Sequence, residues 1–199
     1  MLRYLIRLGN HTKLKPQQIK QISYEFVRVV EGFGVSVKNF RISGIAIEFD
    51  IFANNVRSKD QAVKLLVLRF GPLLNERNLG EQSTMLSKRE TMQLAIELFD
   101  QQRYWECHEV LEEIWRKEND PIEKSVLQGV ILVASALVHA QKYENDVCLG
   151  IFVRALKKLN EWQKHGYHGL DISSLKKYLK DTLENGQISF PKMATDISR

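Results

Sequence analysis

The chain has 199 residues, of which 44% are hydrophobic and 27% are charged, and two are cysteines. This composition is typical of a soluble globular protein with one domain or two small ones. Two cysteines exclude a disulfide framework, so we expect a reducing, cytoplasmic location. The longest apolar run, residues 130–140, is interrupted by Ser135 and His139 and is shorter than a bilayer-spanning helix, so no membrane association is expected.

The net charge of +5 is unevenly distributed along the chain. Residues 1–84 contain 13 Lys and Arg against 7 Asp and Glu, whereas residues 85–199 contain 16 against 17. Any electrostatic preference for nucleic acid or another anionic partner therefore belongs to the first part, although a solvated basic surface explains the same excess. The candidate anion-binding side chains are Arg3, Arg7, Lys13, Lys15 and Lys20, with Arg28 and Lys38.

The first part alternates between strand-like and helix-like patterns. A short strand pattern spans residues 3–8, and a helical pattern begins at Pro16 and ends near Gly32. Two strand patterns and a second helical pattern follow. The order β-α-β-β-α predicts a small α+β domain of ferredoxin-like type, closed by a strand near residues 83–86.

Three local features of this part can also be predicted. The strand pattern at residues 45–51 alternates cleanly, so we expect one buried face and one solvated face, the latter carrying Glu48 and Asp50. The apolar phase changes near residues 38–39, which indicates a β-bulge. Residues 58–61 match a capping box that opens the second helix.

Helical patterns replace strand patterns in the second part. The polar residues 76–85 are the best linker candidate, and a capping box at residues 87–90 then opens the first of five helices. Pro121 opens the most apolar helix, which should be the central one, and the last two helices are predicted at residues 146–164 and 172–184. We therefore predict an α+β domain at residues 1–84, an all-helical bundle at residues 85–186 and a C-terminal tail at residues 187–199.

One segment of the bundle, residues 104–115, places an imidazole on an apolar stripe. At about 100° per residue, His108 and Glu112 lie on the polar edge of that stripe. The apolar members of the stripe are Tyr104, Leu111 and Trp115. The other carboxylates, which are predicted to point progressively toward water, are those of Glu106, Glu109 and Glu113.

The next helix carries a polar line of its own, because Gln128, Ser135 and His139 are close to whole numbers of turns apart. A connection of about three residues makes the two helices antiparallel neighbours and brings Glu112 level with Gln128. We therefore predict a compact cluster of His108, Glu112 and Gln128. His139 lies about 16 Å further along the helix, so one metal ion bound by both histidines is disfavoured.

Three interpretations of this cluster remain open: a structural polar network, a pocket for a small ligand or a divalent metal, and a catalytic site. In the first, His108 is a satisfied core histidine and Glu112 pairs with Arg116 at i+4. In the others, His108 and Glu112 are the metal ligands, or His108 is a general base. The candidate binding residues are His108, Glu109, Glu112, Trp115, Gln128 and His139.

Known catalytic motifs are absent from the sequence. The zincin motif needs a second histidine four residues after His108, where the chain has Glu112. The Glu-x-x-His pattern of carboxylate-rich two-metal bundles does not occur, and neither do the nucleophile-elbow, P-loop and dinucleotide-binding patterns. The residues therefore name no reaction, and whether the protein is an enzyme stays undecided.

The stretch from residue 99 to residue 159 resembles the bacterial and archaeal family called domain of unknown function 309. The matching residues are Tyr104, Glu106, the segment 108–112, Trp115, Gln128, Gly129, His139 and the ending Ala155-Leu156…Leu159. The resemblance implies an all-helical domain whose signature positions are His108, Glu112, Trp115, Gln128 and His139. It brings no established reaction, although the loose label of metal-dependent hydrolase is sometimes attached to such proteins.

Three functions follow from these patterns. The first is a ligand-binding, metal-binding or enzymatic pocket around His108, with Glu112 as its partner, Gln128 as an orienting amide and Trp115 as an apolar wall. The second is a nucleic-acid or anionic-partner module that uses the basic first part. The third is a structural or regulatory protein that associates with itself or with a partner, for instance through the edge strands of the small sheet.

Overall fold

The computed structural model describes residues 1–80 and 86–193, and the chain divides into two compact units. One unit comprises Met1–Thr84 with Gln141–Tyr143, and the other comprises Met85–Ala140 with Glu144–Arg199. Each unit contains a cluster of buried apolar side chains of its own.

In its described residues, the first unit is an α+β sandwich of four strands and two helices. Its elements are β1 (Leu2–Gly9), a 3-10 turn (Pro16–Gln18), α1 (Ile19–Val30), β2 (Val35–Ile42), β3 (Ala46–Ala53), α2 (Val56–Phe70) and β4 (Leu73–Asn78). The strands form an antiparallel sheet in the order β2-β3-β1-β4. The predicted ferredoxin-like α+β fold is therefore confirmed.

Aromatic side chains fill the space between the sheet and the two helices. The ring of Phe26 on α1 stacks on that of Phe70 on α2, with 3.9 Å between centroids. It also meets the ring of Phe49 on β3 edge-on at 5.0 Å. These three side chains are buried, so each stabilises the fold by about 1.5–3 kcal/mol relative to an exposed position.

The opposite face of the sheet is charged but not solvated, which corrects the prediction made from the alternation in β3. Glu48 and Asp50 are only 2% and 1% exposed. Glu48 accepts hydrogen bonds from Arg7 at 3.1 Å and Arg41 at 3.3 Å, and Asp50 accepts one from Arg3 at 2.6 Å. Alternation reveals which side chains share a face, but the same pattern fits carboxylates in water and carboxylates neutralised by arginines on neighbouring strands.

Two local predictions for this unit have different outcomes. The bulge in β2 is confirmed, because its register with β3 shifts between Lys38 and Arg41, and Asn39 adopts a φ of 56°. The capping box at residues 58–61 is wrong, because α2 begins earlier. Its N-cap is Asn55, whose side chain accepts the backbone N–H of Ser58 at 2.9 Å.

The closing strand predicted near residues 83–86 is also misplaced. The sheet is closed by β4, which directly follows α2 and pairs with β1. Gly71 makes the tight connection at a φ of 144°, where a Cβ would lie 2.1 Å from the carbonyl oxygen of Gly9. Residues 83–85 lie outside the described residues. The polar residues at the end of β4 resembled a linker, which explains the error.

Over residues 86–193, the second unit is a bundle of five helices with one short strand pair. Its elements are α3 (Lys88–Asp100), α4 (Tyr104–Lys117), α5 (Pro121–Gln141), α6 (Asn145–Asn160), β5 (Gly166–Tyr167), β6 (Leu170–Asp171) and α7 (Ile172–Asn185). The five helices are confirmed in number and order. The fourth ends before the predicted residue 164, and two strands of two residues each follow, which are too short to give an alternation signal.

Sequence signals for three ends of these helices are confirmed. Ser87 and Glu90 form the predicted capping box of α3. The carboxylate of Asp120 accepts backbone N–H groups at 2.9 and 2.8 Å in the first turn of α5, which begins at Pro121. Gly186 ends α7 in the left-handed conformation.

The apolar helix α5 lies in the core of the second unit, and Gly129 allows the close approach of α6. A Cβ at that position would lie 2.7 Å from the side chain of Leu159. By length and composition alone, α5 could cross a membrane, but 61% of its most apolar window is buried within the protein. The core helix of a soluble protein has the same properties.

Lys88, the first residue of α3, joins four segments at one end of the bundle. Its ammonium group donates hydrogen bonds to Glu118 at 2.5 Å and to Glu123, and the hydroxyl of Tyr167 donates to Glu123 at 3.2 Å. The hydrogen bond from Lys88 lowers the pKa of Glu118 to about 2, and burial raises the pKa of Tyr167 to about 12. Near neutral pH, Glu118 is therefore a carboxylate and Tyr167 a neutral donor.

The predicted C-terminal tail packs on the bundle in its described part, residues 187–193. This part contains no helix or strand. Ile188 and Phe190 nevertheless pack against the core, and Met193 is only 6% exposed. Residues 194–199 lie outside the described residues.

We expect Glu48→Ala to lower the free energy of unfolding by about 3–5 kcal/mol, because it removes the carboxylate between two buried guanidinium groups. Urea unfolding followed by circular dichroism measures this change. Glu31→Ala, which removes an exposed carboxylate after α1, is the matched control and should change the value by less than about 0.5 kcal/mol. A loss below about 1 kcal/mol in Glu48→Ala would contradict the role given to this carboxylate.

We expect Lys88→Met to lower the free energy of unfolding by about 1–2 kcal/mol at pH 7, because Glu118 and Glu123 lose a charged donor. The pKa of Glu118 lies below its ordinary 4.5, so its contribution is present above pH 4.5 and is lost as the pH falls toward 2. Thermal unfolding across this range should show the variant approaching the wild type. Lys177→Met, at an exposed lysine of α7, is the control, and a difference independent of pH would exclude this ion pair as the cause.

Candidate functional site

The helix α4 presents the predicted apolar stripe to the core of the second unit. Tyr104 and Leu111 are fully buried, and so is Cys107 beside them. Burial raises the pKa of the Cys107 thiol, so this cysteine is a small packing residue and not a nucleophile. The stripe therefore has the orientation that the helical spacing predicts.

One acidic residue of α4 does not point toward water as predicted. Glu106 is 2% exposed, and the guanidinium of Arg103 donates to its two carboxylate oxygens at 2.7 and 2.8 Å. A bidentate pair compensates the loss of water around the carboxylate. The helical angle alone could not predict this burial, because it does not include the arginine just before the helix.

His108 lies at the boundary between the core and the solvent, with its side chain 25% exposed. Its Nδ1 is 3.5 Å from a carboxylate oxygen of Glu109, and its Nε2 is 3.5 Å from one of Glu112. Both separations exceed the usual N–H···O length of about 2.7–3.2 Å. Within the described residues, the buried Nδ1 atom has no hydrogen-bond partner.

The second oxygen of Glu112 is engaged by a different residue. It accepts a hydrogen bond from the guanidinium of Arg116, one helical turn further on. This is the i,i+4 pair considered in the structural interpretation of the cluster. Glu112 therefore has one oxygen in an ion pair and one oxygen near the imidazole.

Trp115 lies on the same side of α4, two turns after His108. It packs against the core while its indole Nε1 atom is buried, and in the described part of the chain this atom has no hydrogen-bond partner. The ammonium group of Lys124 lies 5.1 Å from the centroid of the indole ring. The site thus combines an apolar wall with an unpaired donor and a nearby positive charge.

The candidates on α5 are less closely connected to this face. The connection between α4 and α5 has the predicted length of three residues, and Gln128 is half-buried. Within residues 1–80 and 86–193, its amide forms no hydrogen bond with His108 or Glu112, so the predicted cluster with Gln128 stays a prediction. His139 is bonded through its Nδ1 to Glu144, just beyond the end of α5.

A metal centre of the hydrolytic type does not fit these residues. Among the residues that the structure describes, no group of three or more His, Cys, Asp or Glu side chains could hold a metal ion. His108 and Glu112 offer two donor atoms, whereas a catalytic zinc site uses three protein ligands. A zinc ion bound by His108 and Glu112 would therefore need a third protein ligand.

The basic residues of the first unit fall into two groups. Arg3 and Arg7 are paired with Asp50 and Glu48, so their charges are already compensated within the sheet. The other five predicted anion-binding residues are exposed: Lys13, Lys15, Lys20, Arg28 and Lys38. Ordinary solvated basic side chains account for these five positions as well as an anion site does.

A cleft of about 280 Å³ was not predicted from the sequence. It lies where α5 begins and α6 ends, and its volume is just below the range of typical ligand pockets. Trp162 forms part of its wall and donates its indole N–H to the carbonyl of Gly166 at 3.1 Å. The sequence gives no advance sign of this cleft, because its lining comes from segments about 40 residues apart. The lining residues are Asp120, Ile122, Glu123, Glu161, Trp162, Gln163 and Lys164.

Comparison with protein families confirms the resemblance seen in the sequence. Residues 92–150 match the model of a family described as Domain of unknown function (DUF309). No curated protein matches the chain. The matched segment contains His108 and every other candidate binding residue of α4 and α5. The part of the chain that carries the candidate site is therefore similar to DUF309 domains, a family whose description names no activity.

Proposed function

We propose that the His108 face of α4, which we define by His108, Glu112 and Trp115, binds a small polar molecule. The observation that carries this proposal is the presence of two buried nitrogen atoms without hydrogen-bond partners among the described residues, Nδ1 of His108 and Nε1 of Trp115. Most buried polar atoms in folded proteins are paired, so two unpaired ones on one helix face need an explanation. A ligand that supplies the missing partners provides one.

The energetic argument is the penalty for leaving these atoms unpaired. A buried donor or acceptor without a partner costs about 1–3 kcal/mol. A purely structural role for this face would avoid that penalty with apolar side chains of similar volume. A bound molecule that forms the missing hydrogen bonds compensates this penalty, which supports a binding role.

The charges around the face favour a molecule with both a donor and an acceptor. The indole N–H of Trp115 can only donate, and the ammonium group of Lys124 beside its ring favours an acceptor there. The oxygen of Glu112 that faces His108 can only accept while it is ionised. Glu112 and Trp115 are three residues apart, which is a rise of about 4.5 Å along the helix, within reach of one small molecule.

Small-molecule binding agrees better with these contacts than the metal-binding alternative. The carboxylate of Glu112 is shared with Arg116, whose positive charge opposes a cation at the same group. The imidazole contributes a single nitrogen on the side of Glu112. Two donor atoms, one of them from a carboxylate whose other oxygen pairs with arginine, make a weak metal site.

A fragment screen by NMR tests this function. We expect small polar fragments with both a donor and an acceptor to shift the indole N–H resonance of Trp115, which Trp115→Phe identifies by its loss. His108→Ala and Glu112→Gln should each weaken binding of such fragments by about tenfold, the effect of one lost hydrogen bond.

The matched control is His165→Ala, which removes an exposed imidazole that contacts Ser173 in the first turn of α7. This variant should bind the same fragments as the wild type with unchanged affinity. Binding that is equal in the wild type, His108→Ala and His165→Ala would contradict the proposal, and so would a complete lack of shifts at the Trp115 indole.

A further inference from the structure

The segment 187–193 contacts the bundle through hydrogen bonds as well as through apolar side chains. The backbone N–H of Met193 donates to the carboxylate of Asp100 at the end of α3, at 2.7 Å. The backbone carbonyl of Ser189 accepts the hydroxyl hydrogen of Tyr178 on α7, at 2.7 Å. The ring of Phe190 stacks on Tyr104 with 6.0 Å between centroids. These are the interactions that a groove makes with a bound peptide.

The groove side of these contacts belongs to the bundle itself, and we call it the C-terminal groove, defined by Asp100, Tyr104 and Tyr178. Tyr104 is held in place by an edge-on contact with Phe99 at 4.8 Å, and Tyr178 by one with Phe152 at 5.8 Å. Burial raises the pKa of Tyr178 to about 12, so its hydroxyl remains a donor over the whole neutral range. The groove is therefore formed by side chains that the helices position independently of the segment.

The segment is attached in a way that permits its release. No helix or strand bonds connect it to the bundle, and it leaves α7 at Gly186, whose φ of 69° marks a turn that glycine adopts easily. A cavity of about 50 Å³ remains between α7 and Pro191, Lys192 and Met193. The packing of the segment on the helix is thus incomplete.

We propose that the C-terminal groove is a peptide-binding site, filled in the single chain by its own segment 187–193 and able to take the same segment of a second copy. Exchange of identical segments between copies needs no new contacts, because every bond made within one chain is remade between two. The groove recognises Ile188, the aromatic Phe190 followed by Pro191, and Met193 in the bound segment. The backbone N–H of Met193 must be available to donate to Asp100. This inference does not depend on ligand binding at the His108 face.

The test uses the full chain with its own segment weakened. In Phe190→Ala/Met193→Ala, the internal segment competes poorly, so a synthetic peptide of residues 187–193 should bind at least tenfold more tightly than it binds the wild type. In the wild type, the internal segment competes at an effective concentration of roughly millimolar. Fluorescence polarisation of the labelled peptide measures both affinities.

Matched controls separate specific recognition of the peptide from non-specific hydrophobic binding. A peptide with Ser189→Ala should bind as the original does, because only the backbone carbonyl of that residue is used, whereas one with Phe190→Ala should bind at least fivefold more weakly. In the double-variant chain, adding Asp100→Ala should weaken binding of the original peptide. Adding Asp181→Ala, at an exposed residue of α7, should leave this binding unchanged. Equal binding by all peptides, or no binding to a double variant that keeps its helical circular dichroism, would overturn the proposal.

If the double variant does not fold, hydrogen exchange in the wild type tests whether segment 187–193 is released from the groove. The Met193 amide, bonded to Asp100, should exchange at least a hundredfold faster than the amides of α5, because the segment opens without global unfolding. Exchange of the Met193 amide at the same rate as the α5 amides would mean that the segment is a fixed part of the core, and the proposal would be wrong.

Discussion

The apolar surface of α5 is the constraint on which the second unit depends. Because this helix is buried over most of its length, the other helices must contribute their apolar faces to the core around it. For α4 this means that Tyr104 and Leu111 point inward, which leaves His108 at the boundary with solvent. The half-buried position of the imidazole is thus a consequence of packing around another helix.

The sequence predicts elements well where a periodic pattern is long and its ends are marked. The five described bundle helices have repeated apolar spacing, Ser87 caps the first of them and Gly186 ends the last. Prediction failed where the deciding interaction comes from elsewhere in the chain. The strand β4 is polar and is fixed by pairing with β1, and Glu48 is buried only because arginines from two other strands neutralise it.

The candidate site could also be predicted only in part: contacts within one helix could be anticipated, and contacts between helices could not. Neighbours on one helix follow from spacing, so the positions of Glu112 and Arg116 around His108 could be anticipated. Contacts between helices depend on rotation and translation that a single sequence does not define, and the predicted bond to Gln128 is of this kind. The unpaired indole N–H of Trp115 could not be predicted either, because an absent partner becomes visible only in three dimensions.

The two proposed sites share α4, and this has a physical consequence. Tyr104, which stacks on Phe190 in the C-terminal groove, is one turn before His108 on the same face of the helix. If release of segment 187–193 moves α4 through its contact with Tyr104, a molecule at the His108 face can bind the two states with different affinity. By linkage, that molecule then changes the exchange of the segment by the same factor. A ligand that binds both states equally would leave the segment unaffected however tightly it binds, so coupling requires that the position of α4 itself differ between them.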